Sequence, residues 1–152
     1  MFRKKTRKME KTKLYELRKN QTDFPKKQIQ NANDSSEFIR QFYQGDIEIY
    51  ESFFLLLLNN SNQTIGYAKI SQGGVTSTVV DVKIIAKYAV DSLATGIILA
   101  HNHPSGNLNP SSVDISITNK VKEAMKFFDI AVLDHIILTA DSFYSFANNG
   151  LM

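Results

Sequence analysis

Two histidines stand two residues apart in Ile97-Ile-Leu-Ala-His101-Asn-His103-Pro-Ser-Gly106, and neutral imidazole is a good zinc ligand. The aliphatic residues before His101 read as a short buried strand. Side chains two apart on a strand point to one face. Both imidazoles can therefore converge on one ion, provided that the extended geometry persists to His103. Pro104-Ser105-Gly106 then forces a turn. Zinc takes nitrogen or oxygen donors at about 2 Å in a tetrahedron, so two histidines alone do not make a site. A third donor is available in Asp114. After seven further residues, Ser111-Ser-Val-Asp114 opens the next helix, and a carboxylate in its first turn can fold back over the strand end. Ser111-x-x-Asp114 also reads as a plain capping box. The same carboxylate oxygen cannot serve fully both a metal and the Ser111 amide.

The string His101-x-His103-x7-Ser111-x2-Asp114 resembles the signature of the JAMM (JAB/MPN) metalloproteases. The wording His-Asn-His-Pro-Ser-Gly, followed by Pro110-Ser111 and Asp114, is similar to the RadC family within that group. The likeness continues through Glu51 and the Leu55–Asn59 strand end, Gly73-Gly74, Asp81-Val-Lys, Leu133-Asp-His135 and Tyr144-Ser-Phe146, and covers roughly residues 35–152. The resemblance implies Zn2+ held by His101, His103 and Asp114, with the open fourth position that a catalytic zinc needs. It implies that Glu51 takes the proton of an activated water and passes it to the leaving amine. Ser111 would hydrogen-bond the oxyanion, choosing substrate over its capping role. The implied activity is a zinc-dependent hydrolase that cleaves a peptide or isopeptide bond in a protein or peptide substrate. Longer RadC proteins carry an N-terminal helix-hairpin-helix module, and this chain has no room for one. That weakens any DNA-repair role taken from the family name.

Other candidates read more simply. His135 follows Asp134 in the apolar run Val132–Ile137. As a fourth ligand it would close the site, so it is expected in the core or supporting a ligand from behind. Asn102 should point away from the metal, and Ser105 is a turn residue. Glu48 competes with Glu51 as the base, and strand parity separates them: Glu51 shares a face with Phe53, Leu55 and Leu57, whereas Glu48 aligns with Phe54 and Leu56. Phe127, Phe128, Phe143, Tyr144 and Phe146 are expected in the core.

The elements that must position these residues follow from periodicity. Asp34-Ser-Ser-Glu37 reads as a capping box, Phe38, Ile39, Phe42 and Tyr43 continue at helical spacing, and Gly45 ends that helix. Glu51–Leu58, apolar on both parities, suits a central strand. Residues 64–70 form a second strand. Val82, Ile85, Ala86, Ala89, Val90 and Leu93 form a helical stripe. A helix from Ser112 turns Val113, Ile117, Val121, Ala124, Met125 and Phe128 inward. Residues 130–138 and 142–146 close the sheet. The fold class is α/β, an α/β/α sandwich with a mixed sheet, and the resemblance implies JAB/MPN (cytidine-deaminase-like) architecture for it.

Residues 1–30 read as a basic, flexible extension and 31–152 as the domain. Residues 1–27 carry eleven Lys/Arg against three acidic residues, although the whole chain is only +3. Such an arm can make a weak nucleic-acid contact. The alternative function is therefore a DNA-associated, repair-type module with a metal site and little or no hydrolase activity. An inactive, metal-bound interaction domain is a further option. The chain has no Cys, which excludes thiolate metal sites and, with them, the His/Cys zinc site of deaminases. The charged N-terminus lacks the apolar stretch of a signal peptide, and no run is long enough for a bilayer, so a soluble cytoplasmic protein is the default.

Overall fold

Strand β1 (Ser52–Leu58) is buried at every position, as a strand covered on both faces requires. The computed structural model describes residues 12–16, 18–75 and 77–152. Within them β1 lies between β2 (Thr64–Gln72) and β3 (Gly96–Asn102), antiparallel to both. Strand β3 pairs parallel with β4 (Ala131–Leu138), and β4 pairs antiparallel with the short β5 (Phe143–Ser145). The strand order is β2-β1-β3-β4-β5, a mixed sheet.

Among the described residues, three helices cover this sheet: α1 (Ala32–Arg40), α2 (Val82–Asp91) and α3 (Ser112–Lys126). The parity of β1 divides the core. Phe54, Leu56 and Leu58 pack with Phe38, Ile39 and Phe42 at α1. Phe53, Leu55 and Leu57 pack with Ile85 and Ala89 of α2 and with Val121 and Met125 of α3. The result is the expected α/β/α sandwich. Because β3 and β4 run parallel, α3 is their crossover, and its first turn is delivered to the edge where β3 ends. Strand β1 runs the other way, with Phe53 opposite His101. The residues just before β1 therefore reach that same edge.

Several boundaries differ from the sequence reading. Helix α1 starts before Asp34: Asn31 is its cap, accepting from the Asp34 amide at 2.9 Å, while the Asp34 carboxylate accepts from the Gln30 amide at 2.9 Å. Asn31-x-x-Asp34 offers the same capping chemistry as Asp34-x-x-Glu37, and Ile29 and Ala32 belong to the core beside it. The helix closes at Gln41, before Gly45, because Phe42 turns into the aromatic cluster with Phe54 and Tyr67. Leu93 lies beyond α2 with φ 56° and is exposed. Val113 and Phe128 are exposed rather than core, and Phe127 is 87% exposed, because α3 ends at Lys126 and releases both rings at its terminus.

The 30/31 boundary also falls late. Phe24 packs against Phe38, Phe42 and Tyr67, Ile29 is buried, and Lys27 exchanges hydrogen bonds with Thr64 at the edge of β2. Residues 24–30 thus pack on the domain. The apolar residues Phe24 and Ile29 are separated by polar ones, which hides them from a periodicity argument. No helix among the described residues is long and apolar enough to cross a membrane.

Candidate metal centre

His101 lies in β3 on the face shared by Ile97 and Leu99, toward α3. The chain stays extended past the strand end because the His103 amide donates to the Leu138 carbonyl at 2.9 Å. Both imidazoles consequently point the same way, and their Nε2 atoms stand 2.9 Å apart. Phe53 stacks on His101 with the rings tilted by only 9°. The far nitrogen of His103, Nδ1, donates to the Asn107 carbonyl at 2.5 Å. A carbonyl can only accept, so His103 carries hydrogen on Nδ1, and in its neutral form the Nε2 lone pair faces the site.

Asp114 arrives on the first turn of α3. Its Oδ1 is 3.2 Å from His101 Nε2, and its Oδ2 is 3.3 Å from His103 Nε2. The capping box is complete as well: Ser111 Oγ accepts from the Asp114 amide at 3.0 Å, and Asp114 Oδ2 accepts from the Ser111 amide at 2.8 Å. The expectation that Ser111 must choose between cap and substrate is corrected here. As a cap its oxygen only accepts, so the hydroxyl proton is left to donate. Only one oxygen of Asp114 serves the cap, which leaves Oδ1 free for a metal.

Glu51 is the fourth side chain. Its amide donates to the Gly74 carbonyl at 2.9 Å, and its carbonyl accepts from Gly73 at 2.8 Å. Gly73 is required here: a Cβ would sit 1.8 Å from the Ser77 carbonyl oxygen. The same close approach puts Val75 and residues 77–80 beside the site. The Glu51 Oε1 atom lies 3.9 Å from His101 Nε2 and 4.0 Å from His103 Nε2. Glu48, the competing carboxylate, is exposed on the preceding turn.

Asn102 points to the opposite side of the strand, as expected, and acts from there. Its Nδ2 donates to the Ile47 and Tyr50 carbonyls at 2.6 and 2.8 Å, and its Oδ1 accepts from the Ser52 amide at 2.8 Å. These bonds hold the backbone on both sides of Glu51. His135 is fully buried behind His101, with its Nε2 2.8 Å from His101 Nδ1. It takes no place among the converging groups. Thr118, one helical turn after Asp114, touches His135 Nδ1 at 2.6 Å. Sequence reading passed over Thr118, although its spacing of four from Asp114 puts both on one helix face.

The electrostatics suit a cation. Burial raises Glu51, an effect that the neighbouring histidines only partly oppose. Burial also works to raise Asp114, but hydrogen bonds from His101 and His103 overcome it and hold the carboxyl well below the usual range. For His103 burial is outweighed by Asp114 and the Asn107 carbonyl, so it is raised and attracts positive charge. Glu51, His101 and His103 offer ligand atoms within 4.8 Å of one another, close enough to hold a metal ion. Imidazole nitrogens and carboxylate oxygens without thiolates suit a borderline divalent metal. The centre opens into a cleft of about 690 Å³ walled by Val75, Val79, Pro104, Val113 and Ile117, with Ser111 at its rim.

An α/β/α sandwich that gathers two histidines and two acids at one sheet edge is the architecture of a JAB-type domain. Residues 29–151 match the family described as the RadC-like JAB domain, and the chain belongs to that family. It is 48% identical to a UPF0758 protein of Flavobacterium johnsoniae over 102 residues, covering 67% of this chain and 44% of that protein. Identity is 38% to a UPF0758 protein of Neisseria meningitidis over 124 residues, covering 82% of this chain and 54% of the relative. With the UPF0758 protein YfjY of Escherichia coli it is 41% over 102 residues, covering 67% of this chain and 64% of the relative. The chain spans about half the length of the first two relatives.

Proposed function

We propose that this domain is a zinc-dependent hydrolase of the JAMM type, acting on a peptide or isopeptide bond, with His101, His103 and Asp114 as ligands and Glu51 as general base. One observation carries the allocation of roles. Donors on one tetrahedral zinc stand roughly 3.3 Å apart, given bonds of about 2 Å. The two Nε2 atoms stand 2.9 Å apart, and Asp114 approaches with Oδ1 3.2 Å from His101 and Oδ2 3.3 Å from His103, close to that spacing. Glu51 Oε1, at 3.9 and 4.0 Å, lies beyond that spacing and suits a hydrogen bond to a water at the open position.

A bound zinc supplies Lewis acidity, which makes that water acidic and polarises the substrate carbonyl. Glu51 accepts the water proton and returns it to the leaving amine. Its burial raises its proton affinity, which suits a carboxylate that must hold a proton between the two steps. Ser111 donates its free hydroxyl proton to the developing oxyanion. The valine-lined cleft offers apolar surface to the chain on either side of the scissile bond.

The reading is tested with a peptide and isopeptide cleavage screen on wild-type, Glu51→Gln and Glu48→Gln proteins. Glu51→Gln is expected to keep its metal and lose hydrolysis by two or more orders of magnitude, because an amide cannot accept the proton. Glu48→Gln should match wild type. A dead Glu48→Gln beside an active Glu51→Gln would overturn the assignment.

A further inference from the structure

The protons behind His101 can be counted one by one. Thr118 Oγ1 lies 2.6 Å from the Asp114 backbone carbonyl oxygen. Only the hydroxyl has a proton to give, so Thr118 donates to Asp114. The same Oγ1 lies 2.6 Å from His135 Nδ1. With its only proton committed, Thr118 can only accept there, so His135 Nδ1 carries hydrogen. His135 has no exposed surface, so both of its ring nitrogens must find partners inside the protein. In the tautomer with hydrogen on Nδ1, Nε2 is the acceptor. It faces His101 Nδ1 at 2.8 Å, so His101 donates from Nδ1, which leaves Nε2, the nitrogen facing His103 and Asp114, as the one able to turn a lone pair to a metal.

We infer that the chain Asp114 carbonyl–Thr118–His135 sets the tautomer of His101 and so determines that this histidine can bind metal. The inference rests on the metal-centre reading above. Thr118 and His135 are positioning residues: neither reaches the converging donors. The arrangement gives a physical reason for a polar ring inside the apolar run of β4. It also ties two ligands from different elements together. Asp114 offers its side chain to the site, and through its carbonyl it orients the ligand on β3. A small shift of the α3 N-terminus therefore weakens both ligands at once. His103 reaches the same tautomer separately, through the Asn107 carbonyl.

Two measurements on the full chain test this. Nitrogen-15 NMR of labelled histidines in metal-free protein should show His135 protonated at Nδ1 and bare at Nε2, with His101 protonated at Nδ1. A His135 proton on Nε2 would overturn the inference. Competition with a chelator should show zinc bound 10–100-fold more weakly by Thr118→Val, the usual cost of losing a group that orients a ligand. Thr118→Ser, which keeps the hydroxyl, should bind like wild type. Wild-type affinity in a folded Thr118→Val protein would also overturn it. If the expected tautomers are seen but wild-type protein binds no zinc, the metal centre fails and the proton chain stands, so the two failures are distinguishable.

Discussion

Ser111 and Asn102 both have structural bonds that leave room for a role at the site. The Ser111 cap and a role toward substrate use different parts of one hydroxyl: the oxygen accepts from Asp114, and the proton is free. Ser111→Ala should therefore retain metal, lose about 1 kcal/mol of stability with the cap, and slow hydrolysis on the order of a hundredfold. Unfolding curves and turnover measured on one preparation check both. A stability loss without a rate loss would reduce Ser111 to a cap. Asn102 satisfies two carbonyls and an amide around Glu51. Asn102→Ala leaves these groups buried without partners, at about 1–3 kcal/mol each at most. It should lower the melting temperature and loosen Glu51, so that turnover falls while metal content holds. Unchanged turnover in a folded Asn102→Ala protein would separate Asn102 from the placement of Glu51.

Among the elements, β3 and β1 were legible because both are short apolar runs ended by polar signals, and their buried faces leave little choice of register. The same parity argument brought His101 and His103 to one face and preferred Glu51 to Glu48. Other parts were hidden for physical reasons. Thr118 is a common helix residue whose role depends on β4 lying beside α3. The exposure of Val113 reflects an open cleft that helical periodicity cannot anticipate. Phe24 and Ile29 find their partners only in three dimensions. Asp134 is another such case. It accepts from Ser145 Oγ at 2.6 Å, from the Ala147 amide at 2.9 Å and from its own neighbour His135 at 2.7 Å, fastening β5 and the following turn to β4. Asp134→Ala should cost a few kcal/mol, about 1–3 for each donor left unpaired, and this is measurable by urea denaturation. A loss below about 0.5 kcal/mol would mean that the β4–β5 junction does not depend on this carboxylate.

At the scale of the whole molecule, the described N-terminal residues differ in how they meet the rest of the chain. Leu14 and Tyr15 are 84% and 86% exposed, whereas Phe24 and Ile29 pack into the core cluster beside α1. Removing residues 1–23 should leave metal content and melting temperature nearly unchanged, and any salt-sensitive binding to nucleic acid should disappear with it. Removing residues 1–30 should lower the melting temperature clearly, because each buried apolar side chain contributes about 1.5–3 kcal/mol. Equal melting of the two truncations would show that the 24–30 segment adds nothing to the domain. The candidate metal centre stands at the meeting point of three elements: β3 brings the histidines, α3 brings Asp114, and the approach to β1 brings Glu51. Its most direct test is the zinc content of purified wild-type, His101→Ala, Asp114→Ala and Glu51→Gln proteins. One zinc per chain is expected in wild type and in Glu51→Gln, with most of it lost from His101→Ala and Asp114→Ala, since two protein donors are too few to retain it. Full occupancy in His101→Ala and Asp114→Ala would contradict the ligand assignment, and so would loss of zinc from Glu51→Gln with retention in Asp114→Ala.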